Sequence, residues 1–254
     1  MIGLIGFIRE KLLEICNNFP MFHKFRSKRY FLKQLEKYPL EIENFKFPIE
    51  SLILNSEFDR SILSGSSCAL VGNSGHLLEQ DYAQLIDSYD VVMRFNLAPV
   101  KGFENKVGTK TTLRVINNKT FSGIKDPMIN SNRDNQLLDF IDDNILVAVW
   151  EDHHFQSSIF KFSHAKKLLF LNQEFRNNIC NRYFYRSATT GFIGAIIALN
   201  LFKDISLFGF SFYQGDWNQR HYFESCKKFV SEHSHDQEKF ILESFANKKY
   251  LTIY

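Results

Sequence analysis

The chain has 254 residues, a formal net charge of +3, and 44% hydrophobic against 23% charged residues, a composition that excludes a disordered protein and a strongly basic nucleic-acid binder. Its length can bury one large core or two small ones. The four cysteines, Cys16, Cys68, Cys180 and Cys226, form no CxxC pair, so they suggest neither a metal site nor a dense disulfide framework and fit a reducing compartment.

Met1–Ile8 is apolar, but Arg9, Glu10 and Lys11 follow it. A signal peptide carries its positive charge before the apolar stretch, so the order argues against one. No apolar run is long enough to cross a membrane as a helix. Between Phe22 and Lys33 basic and aromatic residues interleave. One reading is a helix with a solvated basic face. The other is a peripheral foot on a membrane, with aromatics in the interface and cations on anionic lipid. Pro39 and Pro48 bracket a loose acidic stretch, which divides a helical basic-aromatic extension over residues 1–50 from a main domain over residues 51–254.

In the main domain, apolar runs of strand length alternate with helical patterns. The strands expected are Cys68–Val71, Val91–Phe95, Thr112–Ile116, Ile145–Trp150, Leu168–Leu171 and Ile205–Phe210. Between the last two, Thr190–Leu201 reads as a nearly all-apolar helix with Thr189 or Thr190 placed to cap it. An apolar helix leading into an apolar strand is the pattern of a βαβ unit with a buried sheet. Lys227–Phe245 reads as a terminal helix, and Tyr250–Tyr254 as an edge strand. The fold class is α/β, a single Rossmann-like domain with a mostly parallel sheet flanked by helices.

Three groups could carry chemistry. Cys68-Ala-Leu-Val-Gly-Asn-Ser-Gly75 is a strand feeding a glycine turn, where free N–H groups often bind phosphate. It lacks the G-x-G-x-x-G and the acidic strand end of a dinucleotide site. Asp90 begins the second strand, whose end offers Arg94 and Asn96. A structural turn without a ligand fits these residues equally well. Thr189-Thr190-Gly191 opens the apolar helix and could hold a phosphate, although a plain N-cap explains it too. The histidines His221, His233 and His235 suit acid–base work near neutral pH, whereas His153, His154 and His164 are read as filler. No carboxylate or cysteine pattern completes a metal site, and no Asp-x-Asp pair is present to hold a divalent ion.

Taken in order, these segments resemble the four sialyl motifs of the sialyltransferase family, glycosyltransferase family 29. Cys68–Gly75, continuing through Ile86–Asp90, Met93–Pro99 and Gly102–Glu104 to Val107–Thr112, is similar to the large motif. Thr189–Gly191 through Leu207-Phe-Gly-Phe210 is similar to the small motif. His221-Tyr-Phe-Glu224 resembles the third, and His233 with Glu238 the His-x4-Glu of the very small one. The resemblance implies a GT-A-variant fold and an inverting glycosyltransferase that needs no metal or other cofactor. It implies a CMP-activated donor, CMP-sialic acid or CMP-Kdo, and a glycan or glycolipid acceptor. By the same resemblance Asn73, Ser74, Gly75 and Asn96, with Thr189, Thr190 and Gly191, would bind the nucleotide. His221 would contact the leaving phosphate and His233 would be the catalytic base. Glu238 lies five residues beyond His233, off its helical face, which suggests a structural role.

Two departures stand out. The family's cysteine in the large motif pairs with one in the small motif, where this chain has Phe202, so Cys68 is expected to be a buried thiol. Golgi members have a membrane anchor, and no such span is seen here. Together these suggest a bacterial, cytoplasmic enzyme, peripheral at the inner membrane face through its N-terminal segment and acting on lipo-oligosaccharide or another surface glycan. A non-catalytic nucleotide- or glycan-binding module is the reading from another class. Acceptor contacts are expected from the divergent middle, with Trp150, Tyr183 and Tyr185 as platforms.

Overall fold

A strand covered on both faces reads as a continuous apolar run, and the central strands here do so because each face meets its own helical layer. The computed structural model describes residues 20–47, 65–117, 145–148, 168–171, 175, 178–179, 182–184, 187–212, 220–224 and 233–254. Its strands are β1 (Ser67–Val71), β2 (Val91–Phe95), β3 (Leu113–Asn117), β4 (Ile145–Ala148), β5 (Leu168–Phe170), β6 (Asp204–Phe208) and β7 (Thr252–Ile253). They form one sheet in the order β5-β4-β3-β2-β1-β6-β7, with every neighbouring pair parallel. The expected strands agree with these bounds to within a few residues. Trp150, at the end of one of them, lies outside the described residues, as do Tyr185 and the remaining cysteines.

The period of two along each strand sorts side chains between the layers. Cys68, Leu70, Met93, Phe95, Val115, Ile205 and Leu207 join one core, whereas Ala69, Val71, Val92 and Phe208 join the other. The first core is covered by α1 (Pro20–Lys37), α4 (Thr190–Leu201) and α5 (His235–Asn247), to be distinguished from α2 (Ala83–Asp87) and α3 (Glu104–Val107) over the second. The terminal helix, expected from Lys227, is described from His235 onward.

Helix α4 is apolar on all sides because it is covered on all sides. It packs across β1, β2, β3 and β6, and the segment after α1 lies over its outer surface. There Asn200 Nδ2 donates to the Phe45 carbonyl at 2.8 Å and Asn200 Oδ1 accepts from Phe47 N at 2.6 Å. The stretch between Pro39 and Pro48, read from sequence as loose, forms a short 3-10 turn at Ile42–Phe45 with both of those residues buried. Phe45 stacks on Tyr183 at 5.1 Å and meets Phe245 edge-on at 5.0 Å. Tyr183 is therefore core, with no exposed surface, and cannot serve as the acceptor platform expected of it. Residue 50, the expected domain boundary, lies outside the described residues.

Cys68 is an unbridged, buried thiol, and that burial pushes its pKa up. Phe202, where the resemblance implied a partner cysteine, is buried in the same core. Gly194 lets α4 lie directly on Phe95 of β2: a Cβ there would lie 2.4 Å from Phe95 Cε1. Gly194→Ala should cost about 1–3 kcal/mol through overpacking, read as a lower urea midpoint with an unchanged slope. An unchanged midpoint would mean that α4 is not seated on Phe95.

Candidate functional site

The chain winds outward from β1 to β5 on one side and from β6 to β7 on the other. In open parallel sheets such a reversal leaves a crevice at the carboxyl ends of the two central strands, here β1 and β6. Gly72 stands at that point. Its N–H donates to the Phe208 carbonyl at 2.7 Å, and a Cβ on it would come within 2.4 Å of the Gly209 carbonyl oxygen. A glycine is required because two backbones touch. Gly209 has φ +69°, a left-handed conformation that favours glycine.

The next residues divide between scaffold and site. Ser74 caps a 3-10 turn over Gly75–Leu78 by accepting from His76 N at 3.3 Å. The Asn73 carbonyl accepts from Tyr222 N at 2.8 Å. Its side-chain Oδ1 is buried and has no hydrogen-bond partner among the described residues. A buried unpaired acceptor costs about 1–3 kcal/mol, so Asn73 is a group suited to a donor hydroxyl or N–H from a ligand.

Asn96 turns the chain at the end of β2 with φ +50°, a conformation that asparagine tolerates better than most residues. Its N–H donates to the Val115 carbonyl at 2.9 Å, and its Oδ1 accepts from Asn117 N at 3.1 Å. Buried Arg114 holds this turn from beneath, its Nη1 donating to the Asn96 and Ala98 carbonyls at 2.9 and 3.1 Å. Arg94 does not join the polar groups at the strand end, contrary to the sequence reading. Being one residue out of phase with Phe95, it turns into the α2–α3 layer. There its Nη2 donates to the Val107 and Lys110 carbonyls at 2.8 and 2.9 Å, fixing the loop after α3. Asp87 anchors the same loop. Burial opposes its charge, but hydrogen bonds from Lys110 and Thr109, with the Arg94 charge, hold its carboxyl below the usual range.

Tyr222 fastens the His221 segment to this edge. Besides its N–H bond to Asn73, its hydroxyl donates to the Pro99 carbonyl, and its ring meets Phe103 edge-on at 4.9 Å. Burial pushes its phenol pKa up to about 12, keeping it a donor. His221 is thereby held one residue from the Asn73 contact. Its Nδ1 pairs with Glu224 Oε1, and its ring stacks on Phe223 at 5.2 Å.

The second wall is built on α4. Thr189 Oγ1 accepts from Phe192 N at 3.1 Å as the N-cap. The same Thr189 donates from its N–H and its hydroxyl to the two carboxylate oxygens of Glu238, each at 2.7 Å. Glu238 is in the first turn of α5, so it ties the starts of two helices together. Its burial, only partly offset by the Thr189 hydrogen bonds, raises its pKa to about 7. His233 precedes α5 and bridges in parallel to Ser187. Its Nδ1 lies 3.0 Å from the Ser187 carbonyl and 3.2 Å from the Ser187 hydroxyl. The carbonyl can only accept and the hydroxyl can do either, so a proton on Nδ1 serves both contacts and leaves the lone pair of the neutral ring on Nε2. His235 is partly buried, and the desolvation of its ring together with the nearby charges of His233 and Arg220 lowers its pKa to about 3.

The two walls meet at Phe210. A Cβ on Gly72 would lie 3.1 Å from its ring, and a Cβ on Gly191 3.2 Å. Asn73, Ser74, Gly75 and Asn96 thus lie just beyond β1 and β2, with His221 tied to them through Tyr222, while Thr189, Thr190, Gly191 and His233 lie where α4 and α5 begin. Sequence reasoning assigned no role to Glu224, Tyr222, Arg114, Ser187 or Phe210. The i,i+3 spacing of His221 and Glu224 was the one visible signal. Among the described residues no three His, Cys, Asp or Glu side chains converge as metal ligands.

This fold is that of a known class. A crystal structure of a mammalian sialyltransferase superposes with a TM-score of 0.58 over 89% of this chain and 84% of that one, at 20% identity. The fold is a sialyltransferase fold. The chain belongs to glycosyltransferase family 29 (sialyltransferase), whose model matches residues 17–250. It is 28% identical over 217 residues to the chicken CMP-N-acetylneuraminate-beta-galactosamide-alpha-2,3-sialyltransferase 1, covering 78% of this chain and 60% of that protein. The human protein of the same name is 30% identical over 164 residues, covering 62% of this chain and 48% of its own length. The chain therefore spans about half the length of these relatives.

Glu238 and His235 give opposite pH dependences. A carboxyl raised in the fold contributes stability below its ordinary pKa, and this is lost as pH rises through about 7. A lowered histidine contributes stability that is lost as pH falls below its ordinary value toward about 3. Glu238→Gln should remove the first contribution alone. The urea midpoint of the variant, relative to the parent chain, should then rise between pH 5 and 7. A constant difference across that window would overturn the assignment.

Proposed function

We propose that this chain transfers sialic acid from CMP-sialic acid to a hydroxyl of a galactose-type glycan, with inversion and without a metal. The observation that carries the reading is the His233–Ser187 contact beside the start of α4, because a proton held on Nδ1 there makes Nε2 the ring's base. In the proposed reaction Nε2 takes the proton of the acceptor hydroxyl as its oxygen bonds to the anomeric carbon. The bond from that carbon to the phosphate oxygen breaks, and CMP leaves with the electron pair. Such base catalysis is worth about 10²–10⁴-fold.

The donor would lie across both walls. Asn73 and Asn96, with the turn at Ser74 and Gly75, fit the ribose and phosphate. The N–H groups at Thr190 and Gly191 add the positive end of the α4 dipole. His221, oriented through Nδ1 by Glu224, would donate to the departing phosphate. A phosphate monoester leaving group carries less charge than a diphosphate, so these groups can suffice. Sialic acid is preferred over Kdo because the relatives are named for CMP-N-acetylneuraminate. Their names also specify α-2,3 transfer to β-galactosides, the acceptor class proposed for this chain.

The test is CMP release from CMP-sialic acid and from CMP-Kdo, each with β-galactoside acceptors and with EDTA present. Turnover is expected with the first donor, undiminished by the chelator. His233→Ala should lower kcat by about 10²–10⁴-fold while leaving CMP affinity unchanged. Near-normal turnover in that variant would refute the base assignment. Release from CMP-Kdo alone would change the donor, and CMP binding without turnover on either donor would leave a binding module.

A further inference from the structure

Helix α1 advances about 100° per residue, which puts Ser27 and Phe31 on one side, and both are buried against the domain. The opposite side exposes five cations, Arg26, Lys28, Arg29, Lys33 and Lys37, against one acid, Glu36. A solvated basic face needs nothing apolar. This one carries Leu32 among the cations, 51% exposed. Against the same helix, Phe240 of α5 is 52% exposed and meets Phe31 edge-on at 5.7 Å.

From this combination we infer that the exposed face of α1, with Phe240, is a docking surface for an anionic lipid membrane. Lysine and arginine stems reach the headgroups while Leu32 and Phe240 enter the interfacial layer, the arrangement of an in-plane interfacial helix. The charge imbalance complements an anionic leaflet, where each basic residue contributes about 1 kcal/mol. A soluble polyanion would use the cations but gain nothing from the apolar pair, so the lipid surface is the partner that accounts for both. No helix among the described residues is long and apolar enough to cross a membrane, and the inferred attachment is peripheral. Phe240 stands five residues along α5 from His235, about 8 Å along the axis. The docking face therefore lies within two turns of α5 from the segment that carries His233. Nothing in this inference depends on the identity of the donor.

Co-sedimentation of the intact chain with vesicles tests it. Binding is expected to phosphatidylcholine mixed with phosphatidylglycerol, and not to phosphatidylcholine alone, and to weaken as salt is raised. Replacing three cations (Lys28→Gln, Arg29→Gln, Lys33→Gln) should weaken partitioning by about 10²-fold. Replacing Leu32→Ser with Phe240→Ser should weaken it by about 10-fold. Urea midpoints close to that of the parent chain would show that the variants fold. Failure to bind the anionic vesicles would overturn the inference, as would binding that survives both sets of changes. Loss on removing the cations alone, with equal binding to soluble polyphosphate, would make the face a polyanion site instead.

Discussion

The contact on which the rest depends is the carboxylate of Glu238 between two helix starts. It belongs to α5, yet both its oxygens are spent on Thr189, the cap of α4. Because His233 lies just before α5 and Ser187 just before Thr189, the same contact fixes their register, and with it the tautomer of His233. A short backbone bridge between Ser187 and His233 would be a weak joint by itself. The buried carboxylate makes it a rigid one, at the cost of desolvating a charge that only Thr189 is seen to satisfy. Glu238 therefore acts on His233 through the backbone. The five-residue spacing, which keeps the two off one helical face, is what lets one end the bridge and the other enter the helix.

The opposite wall is held by cations turned inward. Arg94 and Arg114 are both 1% exposed, and each spends its guanidinium on loop carbonyls that lie outside the strand ladder. A guanidinium can gather several such acceptors in one plane, which a lysine cannot. Arg114 supports the Asn96 turn, and Arg94 the loop after α3. Tyr222 closes the set by bonding to the turn after β1 through its backbone and to the loop after β2 through its hydroxyl. His221 and Asn73 thus sit on a frame whose parts come from four separate stretches of chain.

The fold was legible because parallel strands buried on both faces leave continuous apolar runs, and α4 is apolar enough to leave one as well. The motif residues fell at one edge for the same topological reason. What could not be read were contacts between segments remote in sequence. Arg94 looked like a ligand group from its place at a strand end, and only the phase of β2 turns it inward. Tyr183 looked like a sugar platform, because an aromatic residue in a divergent segment gives no hint that Phe45 will stack on it. The stretch between Pro39 and Pro48 looked loose because Ile42 and Phe45 are too few to make a pattern, yet they complete the cover of α4.

Phe210 is a mechanical element as well as a core residue. Both Gly72 and Gly191 lie so close to it that an added Cβ would crowd the ring, at 3.1 and 3.2 Å. A single aromatic ring thus touches two halves of the structure that are anchored separately. The walls cannot be adjusted one at a time: a shift of the ring toward either glycine opens a gap at the other. A residue larger than glycine at either position would therefore displace the ring and, through it, disturb the opposite wall.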